Sequence, residues 1–305
     1  MLHYAKQNIS ENGKVTFDAP KRLKDAKEVT VTDTYAEGSA YADNRQNIYI
    51  KKVTGADITL SLSALKREIE AELTGKKFNK GEMVAIMGPS GSGKSTLLYN
   101  LSGMDQPTGG KVWLKDQEIT ELSENDKAKL RLHQIGFVFQ QMNMMENLNI
   151  LDNILLPAIQ ANKGRKNRRK EKKKLINEAV SLMQKLSISG LEKRRITEVS
   201  GGQLQRACIC RSMINQPEII FADEPTGALN KSATEEVMNA LVDLNREGTT
   251  LLMVTHDSRM ASCCGRILYM LDGQLRGELI LEAGCNEPFK RREEKVNQWL
   301  AGMEW

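Results

Sequence analysis

The chain has 305 residues, 40% of them hydrophobic and 27% charged, and a formal net charge of +5 from 44 basic and 39 acidic residues. This composition suits one large or two smaller globular domains, and the charge is too mild to argue for nucleic acid by itself. No run of about 18 apolar residues occurs, so no membrane-spanning helix is expected.

Residues 1–80 and 81–305 read differently. The start, Met1-Leu2-His3-Tyr4-Ala5-Lys6, lacks the apolar core of a secretory signal, which points to a cytoplasmic protein. Lys27–Tyr41, Ile48–Val53 and Ile58–Leu62 alternate like hairpin strands, and a charged helix is expected after Leu62. From Lys80-Gly81-Glu82 onward, apolar strand-like runs alternate with amphipathic helices. That is the pattern of an α/β fold with a largely parallel sheet.

The first of these runs, Met83–Met87, feeds Gly88-Pro89-Ser90-Gly91-Ser92-Gly93-Lys94-Ser95-Thr96, and Leu97-Leu98 opens a helix. The segment fits the phosphate-loop pattern G-x-x-x-x-G-K-[ST] between strand and helix, where it must sit to work. Glycines let backbone N–H groups close on a polyphosphate, the helix N-terminus adds a favourable dipole, and Lys94 adds a point charge. The Ser95 hydroxyl is placed to ligate Mg²⁺. The chain is expected to bind a nucleoside triphosphate.

A strand over Gly136–Phe139 ends in Gln140, followed closely by Met142, Met144 and Met145. Methionines suit an adaptable docking groove and equally suit core packing. Residues 163–174 form the strongest charge run, and the helix after it carries Leu175, Ile176, Ala179, Val180 and Met183 on one face. A solvated helix start, an anionic membrane leaflet and nucleic acid are all compatible with that run. Val199-Ser200-Gly201-Gly202-Gln203 precedes a helical stretch, giving a second Gly-Gly helix N-terminus with a Ser hydroxyl. Cys208 and Cys210 lie in that helix as small core residues; five cysteines without C-x-x-C spacing give neither a disulfide framework nor a zinc site.

Ile219–Ala222 is an apolar strand ending in Asp223 and Glu224. Strand side chains alternate faces, so the two carboxylates have different tasks: Asp223 can hold Mg²⁺, and Glu224 can orient or deprotonate a water. The strand Thr249–Val254 leads to Thr255-His256-Asp257, a hairpin is expected over Arg266–Glu278 with Asp272-Gly273 at its turn, and a last helix runs from Arg291 to about Met303. Its apolar face comprises Val296, Trp299, Leu300 and Met303.

The phosphate loop, the Asp-Glu strand end and Val199–Gln203 together resemble the ATP-binding-cassette (ABC) ATPases, whose signature is commonly written L-S-G-G-Q. The resemblance covers residues 81–305 and implies a P-loop NTPase core sheet with a helical subdomain over about 141–205. It implies that ATP sits on Gly88–Thr96, with Mg²⁺ on Ser95, Gln140 and Asp223. Catalysis falls to Glu224, to Gln140 as the Q-loop glutamine and to His256 as the switch histidine. Gly227-Ala228-Leu229-Asn230 looks like the D-loop, with Asn230 where many relatives have Asp. Two domains would pair head to tail, so that Ser200, Gly201, Gly202 and Gln203 of one copy close on ATP held by the other. Within the family, Gly136–Gln141, Ala222–Gly227 and the tail from Arg291 to Trp305 resemble the lipoprotein-release, macrolide-export and antimicrobial-peptide-resistance branch. That branch implies a separate integral-membrane permease and a position at the inner face of the cell membrane, with no direct nucleic-acid partner.

Residues 1–80 depart from this pattern. The family begins with antiparallel strands and an adenine-stacking aromatic some thirty residues before Lys94, and no aromatic falls near position 61. Phe17–Pro20 and Ala42–Asn44, with the alternating strands, are instead similar to the N-terminal part of a phage major tail protein. An ABC ATPase not tied to transport, and a fusion of phage tail sequence with an impaired ATPase, are the alternative expectations.

Overall fold

The structure, a computed structural model, describes residues 78–115, 117–163, 168–281 and 289–303, with short strand segments between residues 3 and 22. The chain divides into two units, Met1–Leu65 and Lys66–Trp305. In the first, β1 (His3–Tyr4) pairs antiparallel with β4 (Lys21–Arg22), and β2 (Gln7–Ile9) with β3 (Val15–Phe17). The strands expected over Lys27–Tyr41, Ile48–Val53 and Ile58–Leu62 lie outside the described residues, as do the charged helix after Leu62 and the segments Asp18–Pro20 and Ala42–Asn44.

In the second unit, β5 (Met83–Met87), α1 (Lys94–Leu101), β6 (Trp113–Leu114) and β7 (Gln117–Glu118) are followed by α2 (Glu124–Gln134) and β8 (Ile135–Val138). Three helices come next, α3 (Ile150–Ala161), α4 (Arg168–Lys185) and α5 (Gly201–Met213). Then β9 (Ile219–Asp223), α6 (Lys231–Arg246), β10 (Thr250–Val254), α7 (Ser258–Ser262), the hairpin β11 (Arg266–Leu271)–β12 (Gln274–Ile280) and α8 (Phe289–Ala301) complete it. The six-stranded sheet has the order β12-β11-β5-β10-β9-β8, parallel throughout except for the β11–β12 hairpin.

The strand runs are apolar at successive positions because both sheet faces are covered. On one face Met83, Ala85, Met87, Ile220, Ala222, Leu251 and Met253 pack with residues of α3 to α8. On the other, Val84, Ile86, Phe221, Leu252 and Val254 pack with Leu97 and Leu98 of α1 and Leu130 of α2. The two clusters divide each strand by alternate residues, as the pleat requires.

Several expected boundaries move by one or two residues. The strand read as Gly136–Phe139 is Ile135–Val138, since α2 ends at Gln134 and passes straight into it. The last helix starts at Phe289 and ends at Ala301, so Met303 lies past its end; a Cβ at Gly277 of β12 would meet the Met303 Cε at 2.7 Å. Along α4, Leu175, Ala179 and Met183 are buried and Ile176 packs against the core, but Val180 is 36% exposed. Cys208 and Cys210 are fully buried, as are Val296 and, almost fully, Leu300 of α8.

Candidate functional site

The chemistry-bearing residues converge on the loops that leave the parallel strands at their carboxyl ends, where open α/β sheets form ligand crevices. After β5 the chain turns through Gly88, where a Cβ would stand 2.2 Å from the Met270 carbonyl oxygen and 2.7 Å from Ser92 Oγ. Only glycine fits that close approach. Gly93 caps α1 in the left-handed region, at φ 91°, and turns the loop into the helix. Ser92 donates its N–H to Pro89 O at 3.2 Å, and its carbonyl accepts from Gly273 N at 3.0 Å, which ties the loop to the β11–β12 turn. Lys94 is buried, and its Nζ donates to Pro89 O at 3.1 Å across the loop mouth. Ser90, Gly91, Ser95 and Thr96 complete the segment.

At the end of β9, Asp223 is buried and accepts two hydrogen bonds. Ser95 Oγ reaches Oδ1 at 2.9 Å, and Tyr99 Oη reaches Oδ2 at 2.7 Å. Burial first, and the Asp223 bond next, push the Tyr99 phenol up to about 12, so it stays a proton donor at any working pH. Glu224 follows in a left-handed conformation, φ 46°, with its N–H bonded to Val254 O at 3.0 Å at the end of β10. That backbone turn aims the two adjacent carboxylates at different neighbours. The Glu224 Oε2 accepts from His256 Nδ1 at 2.7 Å, while the His256 ring is largely exposed. Gln140 is exposed beyond β8; its Nε2 would lie 3.3 Å from a Cβ at Gly227, beside the turn that Gly227 N closes onto Glu224 O.

Ser200 caps α5 in a reciprocal box: its Oγ accepts from Gln203 N at 3.2 Å, and Gln203 Oε1 accepts from Ser200 N at 2.9 Å. Gly201 and Gly202 press this helix start onto its neighbours, since a Cβ at Gly202 would stand 2.7 Å from Ala233 Cβ and one at Gly201 3.3 Å from Leu229 Cδ2. Asn230 caps α6 through Ala233 N at 2.9 Å. An ion pair between Arg206 and Glu236 joins α5 to α6.

Several residues at this site carry no sequence motif. Tyr99 is one. Asn153, fully buried in α3, is another: it accepts from Met145 N at 2.8 Å and donates to the carbonyls of Met145, Leu148 and Asn149. Arg211 of α5 donates to the carbonyls of Met142 and Asn143 at 2.9 and 2.7 Å. Together they pin the loop after Gln140. Met144 packs on the core and Met145 is 51% exposed. A cavity of about 400 Å³ opens beside this loop, lined among others by Arg131, Gly136, Phe139, Asn143, Pro157 and Arg211.

With this geometry in place, the family model described as ABC transporter matches residues 74–227. The chain belongs to the ABC transporter family. Its fold is that of an ABC ATPase cassette. A dimeric structure of MJ0796, a bacterial ABC transporter cassette, superposes with a TM-score of 0.62 at 33% identity, covering 84% of this chain and 99% of that one. The ABC transporter ATP-binding protein YxdL of Bacillus subtilis is 43% identical over 202 residues, 66% of this chain and 76% of that protein. The macrolide export ATP-binding/permease protein MacB of Escherichia coli is 43% identical over 205 residues, 67% of this chain and 30% of that protein. The cassette therefore spans about a third of the length of the macrolide-export relatives it matches.

The residues present fit a magnesium–triphosphate. Ser92 Oγ is buried and has no hydrogen-bond partner among the described residues, which leaves a donor inside the loop for an anionic oxygen. Ser95 and Asp223 supply the hard oxygen donors Mg²⁺ prefers; such sites take one or two protein oxygens and complete the shell with phosphate and water.

Proposed function

We propose that this ABC ATPase binds MgATP on Gly88–Thr96 and hydrolyses it in a head-to-tail dimer, and that the dimer powers a separate integral-membrane permease. The observation that carries the reading is the convergence of Lys94, Asp223, Glu224 and His256 on one crevice. The loop N–H groups, Ser92 Oγ and Lys94 Nζ would hold the phosphates. Ser95 Oγ, Asp223 and Gln140 would hold Mg²⁺, which supplies charge neutralisation on the transferred phosphoryl group.

Glu224 has the geometry of a general base. Its Oε2 is engaged by His256, which leaves Oε1 to accept the proton of a water attacking the γ-phosphorus. The oxygen–phosphorus bond of that water forms as the bond to the ADP oxygen breaks. His256 holds the carboxylate through Nδ1. Ser200, Gly201, Gly202 and Gln203 of the second copy would close the other side of the nucleotide with the α5 N-terminus, a helix end suited to anions. The loop pinned by Asn153 and Arg211 links Gln140 to the cavity lined by Phe139 and Pro157. A permease helix seated there would feel the state of Gln140. Such an arrangement would seat the cassette at the inner face of the cell membrane.

Export is favoured by the 43% identity with the macrolide export protein, and a role in antimicrobial-peptide resistance rests on the sequence resemblance alone. The deciding variant is Glu224→Gln, which keeps the shape and hydrogen bonding of the side chain while removing the base. It should retain ATP binding, slow turnover by roughly a hundredfold or more, and run as an ATP-dependent dimer in sedimentation. Unchanged turnover would remove Glu224 from this role, and an ATP-loaded monomer would remove the composite site.

A further inference from the structure

The positive charge of this chain is concentrated in one place. Residues 163–174 hold nine basic residues and one acidic residue, a net of +8. The whole chain is +5, so the remaining 293 residues together carry −3. Within the run the described lysines Lys163, Lys170, Lys172, Lys173 and Lys174 are all exposed. The acidic groups on these turns of α4 are Glu171 and Glu178. Glu178 lies 3.7 Å from Lys174, whose side chain is 69% exposed, a pair too solvated to neutralise the patch.

The placement matters as much as the charge. Six residues separate the end of α3 at Ala161 from the start of α4 at Arg168, and the two helices pack on each other. The last turns of α3 carry Pro157, which lines the cavity beside the Gln140 loop, and Ile159, an isoleucine 49% exposed. The same end of the α3–α4 pair therefore presents a groove wall, an uncovered aliphatic side chain and a lysine cluster. Exposed aliphatic groups beside lysines match a headgroup–acyl boundary, where ammonium groups meet lipid phosphates and the apolar group dips inward. Residues 163–174 contain no aromatic side chain, so the stacking platforms of single-stranded nucleic-acid binders are missing from the run.

We infer that the lysine cluster at the start of α4, with Ile159, is a contact surface for anionic phospholipid headgroups, seating the cassette against the bilayer while a permease occupies the neighbouring groove. The orientation rests on the groove reading given above; the lipid contact itself does not require the permease. The attraction is electrostatic, on the order of fivefold in partitioning for each basic residue near the surface, and it is screened by salt.

The test is flotation of the full chain with vesicles containing no permease. Wild-type protein should float with phosphatidylglycerol-containing vesicles at low salt, stay behind with pure phosphatidylcholine, and be released by salt near 1 M, where screening reaches within a few ångströms. Replacing Lys170, Lys172, Lys173 and Lys174 together by Gln, a good helix former, should cut partitioning on the order of a hundredfold or more, with ATP binding and turnover in lipid-free solution unchanged. Equal flotation on neutral lipid, or a variant that floats like the wild type, overturns the inference. Failure of the wild type to float overturns it too, as does tighter capture by duplex DNA that depends on the same four lysines. If the patch captures lipid while no permease seats in the groove, the lipid contact stands and the groove reading alone fails.

Discussion

Tyr99 is the residue whose contribution is most open to a clean test. Its hydroxyl and that of Ser95 each donate to one oxygen of Asp223, so the carboxylate plane is fixed before any cation arrives. Tyr99→Phe keeps the ring and its contact with Phe137, whose centroid lies 5.8 Å away, and deletes only the hydroxyl. A hydrogen bond to a charged group contributes about 1.5–3 kcal/mol. The variant should therefore lose roughly ten- to a hundredfold in the gain that Mg²⁺ gives to ATP binding, with binding in EDTA unchanged. Titration of a fluorescent ATP analogue with and without Mg²⁺ reads this directly, and an unaltered Mg²⁺ gain would reduce Tyr99 to a packing role. Lys94, Asp223, Glu224 and His256 were legible in the sequence because each is tied to a strand end at a fixed spacing. Tyr99 was not, since its bond spans 124 positions to Asp223 and a tyrosine one turn into a helix signals nothing. Asn230 carried a signal of another kind: its side chain caps α6, a task Asp performs equally well.

Elements that draw their cores from consecutive apolar residues were read almost to the residue. β5 is Met83–Met87 as expected, and β9 and β10 differ from expectation by one residue each. The hairpin β6–β7 and helix α2 were not legible, because α2 buries little beyond Leu130 and Lys127 and carries no strong apolar period. The loop after Gln140 depends on contacts across elements, which periodicity cannot show. Asn153 alone supplies one acceptor and three donor contacts there from a fully buried position. Asn153→Ala would leave the Met145 N–H and the Leu148 carbonyl without their side-chain partner, while Met145 O keeps Leu148 N and Asn149 O keeps Asn153 N, at a cost of about 1–3 kcal/mol. Urea unfolding checks that figure, and a loss below about 1 kcal/mol would show that water replaces the side chain at little cost. The α5–α6 contact predicts a second outcome at this scale. Gly202→Ala drives a methyl group to within 2.7 Å of Ala233 Cβ, so the helices must part. Overpacking of this kind costs about 1–3 kcal/mol. In the Glu224→Gln background the same change should abolish ATP-dependent dimerisation, and a dimer of undiminished strength would show that the α5 N-terminus tolerates the shift.

At the scale of the whole molecule, the family resemblance leads us to propose that the phosphate side and the base side of the nucleotide site are supplied unequally. Every element that would hold phosphate or metal lies within Lys66–Trp305, the unit built around the six-stranded sheet. For the adenine side the family resemblance implies an aromatic near position 61, and this chain has Ser61 between Leu60 and Leu62. Phe78, the first described residue of the second unit, is already employed: it packs against the cluster beneath α1 and lies 5.8 Å under the Arg266 guanidinium. Base stacking on an aromatic ring contributes about 1–3 kcal/mol, so its absence should weaken ATP binding by roughly ten- to a hundredfold while sparing phosphate recognition. Grafting a cassette-type N-terminal strand with its aromatic in place of residues 1–80 should then tighten ATP and GTP alike by about that factor, since every base offers a π-face to the ring. Equilibrium titration of both nucleotides against both chains measures this. Equal ATP affinity in the two chains would mean that another group in this chain covers adenine, and the split between a complete phosphate cradle and an incomplete base pocket would be withdrawn.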